Sequence, residues 1–211
     1  MKQEILKALA WRYATKIFDP AKKITTEDLH TILESGRLSP SAIGLEPWKF
    51  LVVENPALRE KLRVAAYGQP KVTDAAVLIV FARRTDVREH IAQELLDRAA
   101  AQQHVSLESL EGLRNMAEGG IAAKNDVELQ AWIRSQVYIP LGIMIQTASL
   151  LEIDNCPMEG FNPTAVDEIL GLTAQNLASV CMLALGGRGA DPAAARQKVR
   201  RPFEEVVQFL K

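Results

Sequence analysis

The hydrophobic residues of this chain fall into two unbroken apolar runs and several stretches with helical spacing. The runs are Ala75 to Ala82 (AAVLIVFA) and Leu177 to Gly186 (LASVCMLALG). Short, continuous apolar runs are typical of strands that are buried on both faces. Lys49 to Val53 is shorter and ends in β-branched residues, which also favours a strand. We therefore predict three strands.

Apolar residues that recur every three or four positions predict helices around these strands. Ile5, Leu6 and Leu9 lead into Trp11 with the spacing of an amphipathic helix. A second helix is predicted to begin near Thr25, with an apolar stripe of Leu29, Ile32 and Leu33. A third begins at Asn55-Pro56, with Leu58 and Leu62 on its apolar face. Further helical segments are predicted within 86–124, from Asp126 to Leu151, and from Asn162-Pro163 to Gly171.

Capping residues define several of these helix ends. The hydroxyl of Thr25 is placed to cap its helix, and Asp28 completes a capping box. Asn55 and Asn162 each precede a proline, as an N-cap before a first-turn proline does. Pro140 lies inside the long helix, and we expect it to kink or divide that helix.

Helices outnumber strands and do not alternate with them regularly, so the pattern indicates an α+β fold. The 211 residues are 48% hydrophobic, which suits a single domain. We expect one domain over 1–211, with a helical excursion at about 86–124 and a C-terminal extension from about 202. The formal net charge of -1 gives no indication of nucleic-acid or anionic-membrane partners.

The cysteine count and the apolar runs suggest a cytoplasmic location. Two cysteines, Cys156 and Cys181, are too few for a disulfide framework, and we expect buried free thiols. The N-terminus lacks the pattern of a signal peptide. Polar residues interrupt every apolar stretch before the ~18 residues that a membrane span needs.

Motifs for several enzyme classes are absent from the sequence. Gly186-Gly187-Arg188-Gly189 does not fit a dinucleotide-binding fingerprint, and there is no phosphate loop or nucleophile elbow. The three histidines stand alone in polar contexts and are expected at the surface: His30, His90 and His104. If the protein is an enzyme, a bound cofactor would carry the chemistry.

Four segments carry groups that suit a planar, anionic ligand, and each also has an ordinary structural interpretation. RYATKIFD, from Arg12, places two cations near an aromatic ring, or it is a solvated helix end. SPSAIGLEPW, from Ser39, offers exposed amides on a rigid loop, or it is a helix-to-strand turn. CPMEGF, from Cys156, has a glycine that allows close backbone approach, or it is a turn. KVRRP, from Lys198, suits a phosphate, or it is a solvated basic tail.

Together and in this order, the four segments resemble the nitroreductase family. The shared patterns are R-x-x-T-K-x-F-D, S-P-S-x-x-G-x-x-P-W, P-x-E-G-F and K-x-R-x-P. Gln69-Pro70-Lys71 also fits, as do Ala131-Trp132 and Gln136-Val137-Tyr138. The resemblance extends from Arg12 to the region of Pro202.

The resemblance implies a nitroreductase-like α+β fold, with a mostly antiparallel sheet flanked by helices, and a homodimer with FMN at its interface. NADH or NADPH would reduce the flavin and leave, and a small electron acceptor would take its place. Because the chemistry lies on the flavin, no side chain is expected to act as a catalytic nucleophile or to bind metal.

The implied cofactor-binding residues divide by the part of FMN that they would contact. Those on the ribityl and phosphate side would be Arg12, Tyr13, Ala14, Lys198 and Arg200. Around the flavin ring, Lys16 would lie at the pyrimidine edge, and Gln69 and Lys71 would lie towards that edge and the nicotinamide side. Pro157 would lie against one face of the ring. The backbone of Glu159 and Gly160 would lie at the nitrogen that accepts hydride. Those supplied by the partner subunit would be Pro40, Ser41 and Gly44.

The sequence departs from the family pattern at a few positions, and alternatives remain open. Ala14 replaces a hydroxyl of many relatives, and Gly68 replaces a polar side chain whose role Gln69 would take over. Ile43 and Gly44 make the pocket wall more apolar and put a nitroaromatic preference in doubt. Relatives of this fold reduce quinones, enones, pterins or halogenated phenols, and one branch destroys flavin. A non-enzymatic alternative is a binding protein that uses 196–201 for an acidic partner.

Overall fold

The computed structural model describes residues 1–210 and consists of one antiparallel sheet with helices on both faces. The strands are β1 (Trp48–Val53), β2 (Val77–Arg84), β3 (Asp154–Met158) and β4 (Leu177–Gly186). The α-helices are α1 (Lys2–Trp11), α2 (Thr26–Arg37), α3 (Pro56–Ala65), α4 (Lys71–Asp74), α5 (Ala92–Gln103), α6 (Glu111–Ala122), α7 (Asp126–Leu150), α8 (Pro163–Leu170) and α9 (Phe203–Val206). A π-helical turn (Val87–Ile91) precedes α5, and short 3-10 turns connect other elements.

The sheet has the strand order β1-β2-β4-β3, and every neighbouring pair is antiparallel. The two apolar runs form the central strands β2 and β4, which are buried along most of their length. The β4 bounds match the prediction, whereas β2 begins two residues later than expected. These findings confirm the α+β class and the antiparallel sheet.

The edge strand β3 was not predicted, because its sequence DNCPM is short and contains Pro157. Proline lacks the N–H that a central strand would need, but it is tolerated at an edge. The segment after α1 runs along the outer side of β3, where Ala14 and Asn155 form a parallel bridge. The third ligand-like segment therefore begins in a strand and turns only after Met158.

Two hydrophobic clusters cover the two faces of the sheet. One face packs against α3 and α8, with Leu62 and Val166 fully buried. The other packs against α2 and α7, with Ile32, Val137 and Met144 fully buried. A third cluster lies under the helices between β2 and α7. The flanking leucines of the predicted stripes, Leu29, Leu33 and Leu58, are only partly buried.

The predicted N-cap residues cap their helices, but Pro140 does not divide the long helix. The side chains of Thr25, Asn55 and Asn162 each accept a hydrogen bond from the N–H three residues on. The capping box predicted at Thr25 is incomplete, because the Asp28 carboxylate accepts from the Thr25 hydroxyl and not from its backbone N–H. However, α7 runs undivided through Pro140. The missing N–H removes one intrahelical bond. Buried contacts of Val137 and Leu141 on either side hold the helix in the core.

Both termini expose apolar side chains. The side chain of Leu6 is 68% exposed, and Ile5 and Leu9 are also exposed, so the apolar stripe of α1 faces away from the core of its own chain. Phe203 in α9 is 60% exposed. His30, His90 and His104 are at the surface, and Cys156 and Cys181 are buried free thiols, as expected. Among residues 1–210, none of the helices combines the length and hydrophobicity that crossing a bilayer requires.

Candidate functional site

The first part of the candidate site forms where the chain leaves α1 and runs beside β3. The N–H of Thr15 donates to the carbonyl of Asn155 at 3.2 Å, which fixes the segment against the sheet edge. Arg12, the C-cap residue of α1, lies near Cys156 of β3. The edge strand therefore positions the first cation.

Arg12, Lys198 and Arg200 form a cluster of cations, which we call the cationic clamp. Burial and the neighbouring charge of Arg200 lower the pKa of Arg12. Burial, Arg12 and Arg200 lower the pKa of Lys198. The ammonium of Lys198 donates to the carbonyl of Leu9 at 2.6 Å and to that of Ala10, the last turn of α1. Two chain termini thus place like charges together.

The clamp is not neutralised by carboxylates of the described chain. Within residues 1–210, no carboxylate oxygen lies within 4.0 Å of the charged nitrogens of Arg12, Lys198 or Arg200. The Nε of Arg12 is buried and has no hydrogen-bond partner among these residues. An unpaired buried donor costs free energy, and an anion at this position would satisfy it.

Arg188 fixes the start of the C-terminal segment. Its N–H and its Nε donate to the two carboxylate oxygens of Asp154, at 2.8 and 2.6 Å. Its guanidinium lies over the rings of Trp11 and Tyr13, 4.3 and 4.8 Å from their centroids. Arg188 was considered in the sequence only as part of a failed glycine motif, and no local pattern indicates this contact.

Asp191 is a second residue that the sequence analysis missed. It lies at the start of a 3-10 turn (Pro192–Ala195) and accepts hydrogen bonds from the Tyr13 hydroxyl and from the backbone N–H of Lys16. Burial alone would raise its pKa, but these and further hydrogen bonds lower the pKa of Asp191 to about 2. The pair Asp191-Pro192 predicts only a local turn. The hydrogen-bond partners of Asp191 near the N-terminus leave no signal in the sequence around it.

Gln69, in the loop between α3 and α4, and Lys71, at the start of α4, add polar side chains near β3. The ammonium of Lys71 donates to Sγ of Cys156 at 3.4 Å. The side-chain amide of Gln69 donates to the carbonyl of Gly160 at 2.7 Å. Arg12 and Lys71 therefore both lie near Cys156 of β3.

The turn after β3 is held by α7 through Glu159. The carboxylate of Glu159 accepts a hydrogen bond from the hydroxyl of Tyr138 and lies 3.6 Å from Arg134. A cavity of about 280 Å³ adjoins this carboxylate and is lined also by Arg83 and Phe161. Contacts to the side chain of Glu159 and to the carbonyl of Gly160 thus fix the turn from two directions.

The loop that carries Pro40, Ser41 and Gly44 lies elsewhere in the same chain. It precedes β1, at the end of the sheet where Trp48 pairs with Arg83, whereas Cys156 pairs with Ala184 towards the other end. Gln136 of α7 accepts from the N–H of Ala42 at 2.8 Å. Arg98 of α5 donates to the carbonyl of Gly44 at 3.2 Å.

The backbone of this loop is strained. Ile43 has φ +62° and Gly44 has φ +79°. A β-branched residue in this region is a conformational outlier, and such strain is concentrated at functional sites.

The structure therefore brings together most, but not all, of the residues indicated by the sequence. Those near β3 and the clamp are Arg12, Tyr13, Ala14, Gln69, Lys71, Pro157, Glu159, Gly160, Lys198 and Arg200. The side chain of Lys16 is exposed, and only its backbone is held, by Asp191. Pro40, Ser41 and Gly44 do not join this group within one chain.

Comparisons with known proteins identify the family and the fold of this chain. The model of the Nitroreductase family matches residues 9–187. The chain belongs to the nitroreductase family. Its members are oxidoreductases. The match ends before Asp191, Lys198 and Arg200, so the C-terminal part of the site lies outside it.

Individual relatives cover the full chain. A Staphylococcus aureus protein, named provisionally as an NAD(P)H nitroreductase, is 39% identical over 218 residues, which cover 100% of this chain and 97% of the relative. A solved structure from Exiguobacterium sibiricum, provisionally a nitroreductase and in complex with FMN, has a TM-score of 0.82 at 20% identity, covering 99% and 96% of the two chains. An enone reductase of gut-bacterial fatty acid saturation has a TM-score of 0.83 at 19% identity, covering 98% of each chain. The two structures show a shared fold.

Proposed function

We propose that this nitroreductase-family protein is an FMN-dependent oxidoreductase that uses NADH or NADPH to reduce a small acceptor. The observation that carries the proposal is the cationic clamp beside the Glu159–Gly160 turn. Because the clamp would hold a phosphate and the turn would face a flavin ring, one strand edge supplies both halves of an FMN site.

The clamp fits a phosphate monoester. Arg12 presents a buried Nε without a partner, and Lys198 and Arg200 add charges that carboxylates within residues 1–210 do not neutralise. Guanidinium groups engage phosphate oxygens through charge-assisted hydrogen bonds. The Lys198 ammonium would exchange a carbonyl of α1 for a phosphate oxygen, and the like charges would then be balanced.

The turn after β3 suits the edge of a flat ring. Gly160 has no positive φ, and a Cβ added to it would lie 3.5 Å from the Gln69 amide, an ordinary contact. The packing of the chain therefore does not require glycine here, whereas close approach of a ligand to the backbone would. Tyr138 and Arg134 hold the Glu159 side chain, leaving the backbone amide of the turn to donate to a ring nitrogen.

A complete site would need two subunits. Pro40, Ser41 and Gly44 lie near the opposite end of the sheet from the clamp in their own chain. In a homodimer, this strained loop would pack on the flavin of the partner subunit. The apolar stripe of α1 and the exposed C-terminal residues around Phe203 provide surface that association would bury.

The chemistry would depend on placement and charge. Bound FMN would supply a two-electron centre that takes hydride from NAD(P)H and passes electrons to the acceptor. Lys16 and Lys71 would place positive charge near the pyrimidine edge, where reduction adds negative charge. The turn amide would orient the hydride-accepting nitrogen, and the walls would exclude water. Nicotinamide would leave before the acceptor enters, so no separate dinucleotide motif is needed.

We propose that the acceptor is a small, planar, reducible compound, with nitroaromatics and quinones as first candidates. The apolar wall at Ile43 and Gly44 favours acceptors with little polarity on that side, which suits an enone as well. We also propose that residues 1–211 form a single domain, of which Lys211 lies outside the described residues. We further propose a cytoplasmic location.

A visible spectrum of the purified protein, recorded before and after anaerobic NADH or NADPH, tests this function. We expect oxidised-flavin absorbance that bleaches with the nucleotide and returns with an acceptor such as a quinone. A protein that stays colourless after FMN is added would refute the proposal and favour the alternative of a binding protein that uses 196–201. Flavin that never bleaches would refute the NAD(P)H donor.

A further inference from the structure

The carboxylate of Asp191 joins two segments that are more than 170 residues apart in sequence. Its Oδ2 accepts hydrogen bonds from the Tyr13 hydroxyl at 2.8 Å, the Lys16 N–H at 2.7 Å and the Ile17 N–H at 3.2 Å, across separations of 178, 175 and 174 residues. Its Oδ1 accepts from the Ala193 N–H at 2.9 Å. The residue is 8% exposed, and the four hydrogen bonds are partly buried.

Each segment that Asp191 joins carries part of the cationic clamp. Arg12 directly precedes Tyr13, and Lys16 contributes its own N–H to the carboxylate. On the other side, the Ala193 N–H begins the 3-10 turn that leads to Lys198 and Arg200. A shift of Asp191 would therefore change the spacing between the cations of the two segments.

The clamp needs such a brace because its charges repel one another. Burial, and after it the neighbouring cations, lower the pKa values of Arg12 and Lys198, as expected where like charges lie close together. Asp191 is ionised in this setting, since its pKa falls to about 2 while burial and its carboxylate raise that of Tyr13 to about 12. Hydrogen bonds to an ionised acceptor are the strong ones.

Hydrogen bonds that do not involve Asp191 fix the start of the C-terminal segment. Arg188 donates from its N–H and its Nε to Asp154, so the chain between β4 and residue 188 does not depend on Asp191. Loss of Asp191 should therefore loosen the part that carries Lys198 and Arg200 without detaching the whole segment.

We propose that Asp191 is a positioning residue, which holds the Arg12 and Lys198–Arg200 segments at the spacing that a phosphate monoester requires. This inference rests on the proposed FMN site and extends it to a residue beyond the part that matches the family model. Asp191 acts through its hydrogen bonds to the Tyr13 hydroxyl and to the backbone of Lys16, Ile17 and Ala193, and it does not touch the ligand.

The test compares flavin binding by the full-length protein after its flavin has been removed. FMN and riboflavin are each titrated into wild type and Asp191→Asn, which keeps the shape but loses the charge. We expect the Kd for FMN to rise about tenfold to a hundredfold, as the loss of charge-assisted hydrogen bonds would cause. Riboflavin lacks the phosphate, so its Kd should change about threefold or less by the same reasoning.

Asp86→Asn serves as the matched control, because Asp86 is also a half-buried carboxylate with a lowered pKa but pairs with Arg84 instead. Its Kd for FMN should stay at the wild-type value. If Asp191→Asn fails to fold, Tyr13→Phe removes one of the four bonds and should raise the Kd severalfold. An unchanged Kd in the folded Asp191 or Tyr13 variant would overturn the inference.

A double-mutant cycle separates positioning from general destabilisation. In a Lys198→Ala/Arg200→Ala background, Asp191→Asn should raise the Kd for FMN less than about twofold, because the residues that it positions are gone. Additive losses would show that Asp191 only stabilises the fold and would overturn its positioning role. Failure of the wild type to bind FMN would instead refute the proposed function itself.

Discussion

Two arginines of this molecule differ in whether carboxylates of the chain neutralise their charge. Arg84, at the end of β2, donates to both carboxylate oxygens of Asp86 and both of Glu94, at 2.6 to 3.0 Å. These hydrogen bonds raise the pKa of Arg84 and lower those of its two partners. Arg12 has a buried Nε without a partner within residues 1–210, and burial and Arg200 lower its pKa.

The difference separates structural charge from charge that is available to a ligand. The Arg84 network is complete within the chain, so it ties β2 to α5 and has little left to offer an anion. The cationic clamp is incomplete within the chain, and its members repel one another. Perturbed groups of the second kind are the ones that indicate a binding site. The comparison predicts that mutations in the two regions will affect different properties.

The largest effect is expected from the clamp. Replacing Lys198 and Arg200 together by alanine should weaken FMN binding by at least about a hundredfold, since each charge-assisted bond to an anion contributes about 1.5–3 kcal/mol. Both side chains lie on an irregular segment, so the fold should persist. Fluorescence titration of FMN measures the loss, and thermal unfolding checks the fold.

A matched control removes the same charge elsewhere. Lys49→Ala with Lys61→Ala likewise deletes two positive charges, from exposed lysines on β1 and α3. It should leave the Kd for FMN nearly unchanged, because long-range charge is screened at physiological salt. Equal losses in both double variants would mean that net charge, and not the clamp, governs FMN binding.

The Arg84 network should respond in stability and not in binding. Arg84→Met leaves Asp86 and Glu94 without their partner, and we expect the free energy of unfolding to fall by about 1–3 kcal/mol; partial exposure of Glu94 keeps the loss modest. Urea unfolding measures it, with FMN affinity as the second readout. Unchanged stability, or weaker FMN binding in the folded variant, would remove the contrast between the two regions.

The fold was largely accessible from local sequence patterns. Continuous apolar runs gave β2 and β4, and the caps at Thr25, Asn55 and Asn162 were read from residues that act within one turn. Local rules failed where tertiary packing decides. β3 is a strand because β4 lies beside it, despite its proline, and the buried contacts of α7 hold the helix together at Pro140.

The candidate site was less accessible, because its contacts cross the chain. The resemblance to the family indicated Arg12, Lys198 and Arg200, and the structure places them together. Nothing local to Arg188 or Asp191 predicts their partners, which lie far away in sequence. The assignment of Pro40, Ser41 and Gly44 to a partner subunit stays a prediction, since it depends on a second chain.

The smallest expected effect is on the pH dependence of the free energy of unfolding. It concerns Asp191, the residue that we propose holds the two segments of the clamp in position. Its pKa in the folded state is about 2, below the ordinary 3.8. The stabilisation is therefore fully present above about pH 4 and is lost as the pH falls through about 2. Asparagine does not titrate, so the stability gap between flavin-free wild type and Asp191→Asn should narrow over this range. Urea unfolding at several pH values measures the gap. A gap that stays constant from about pH 5 to about pH 2 would mean that the ionised carboxylate contributes nothing beyond its neutral isostere.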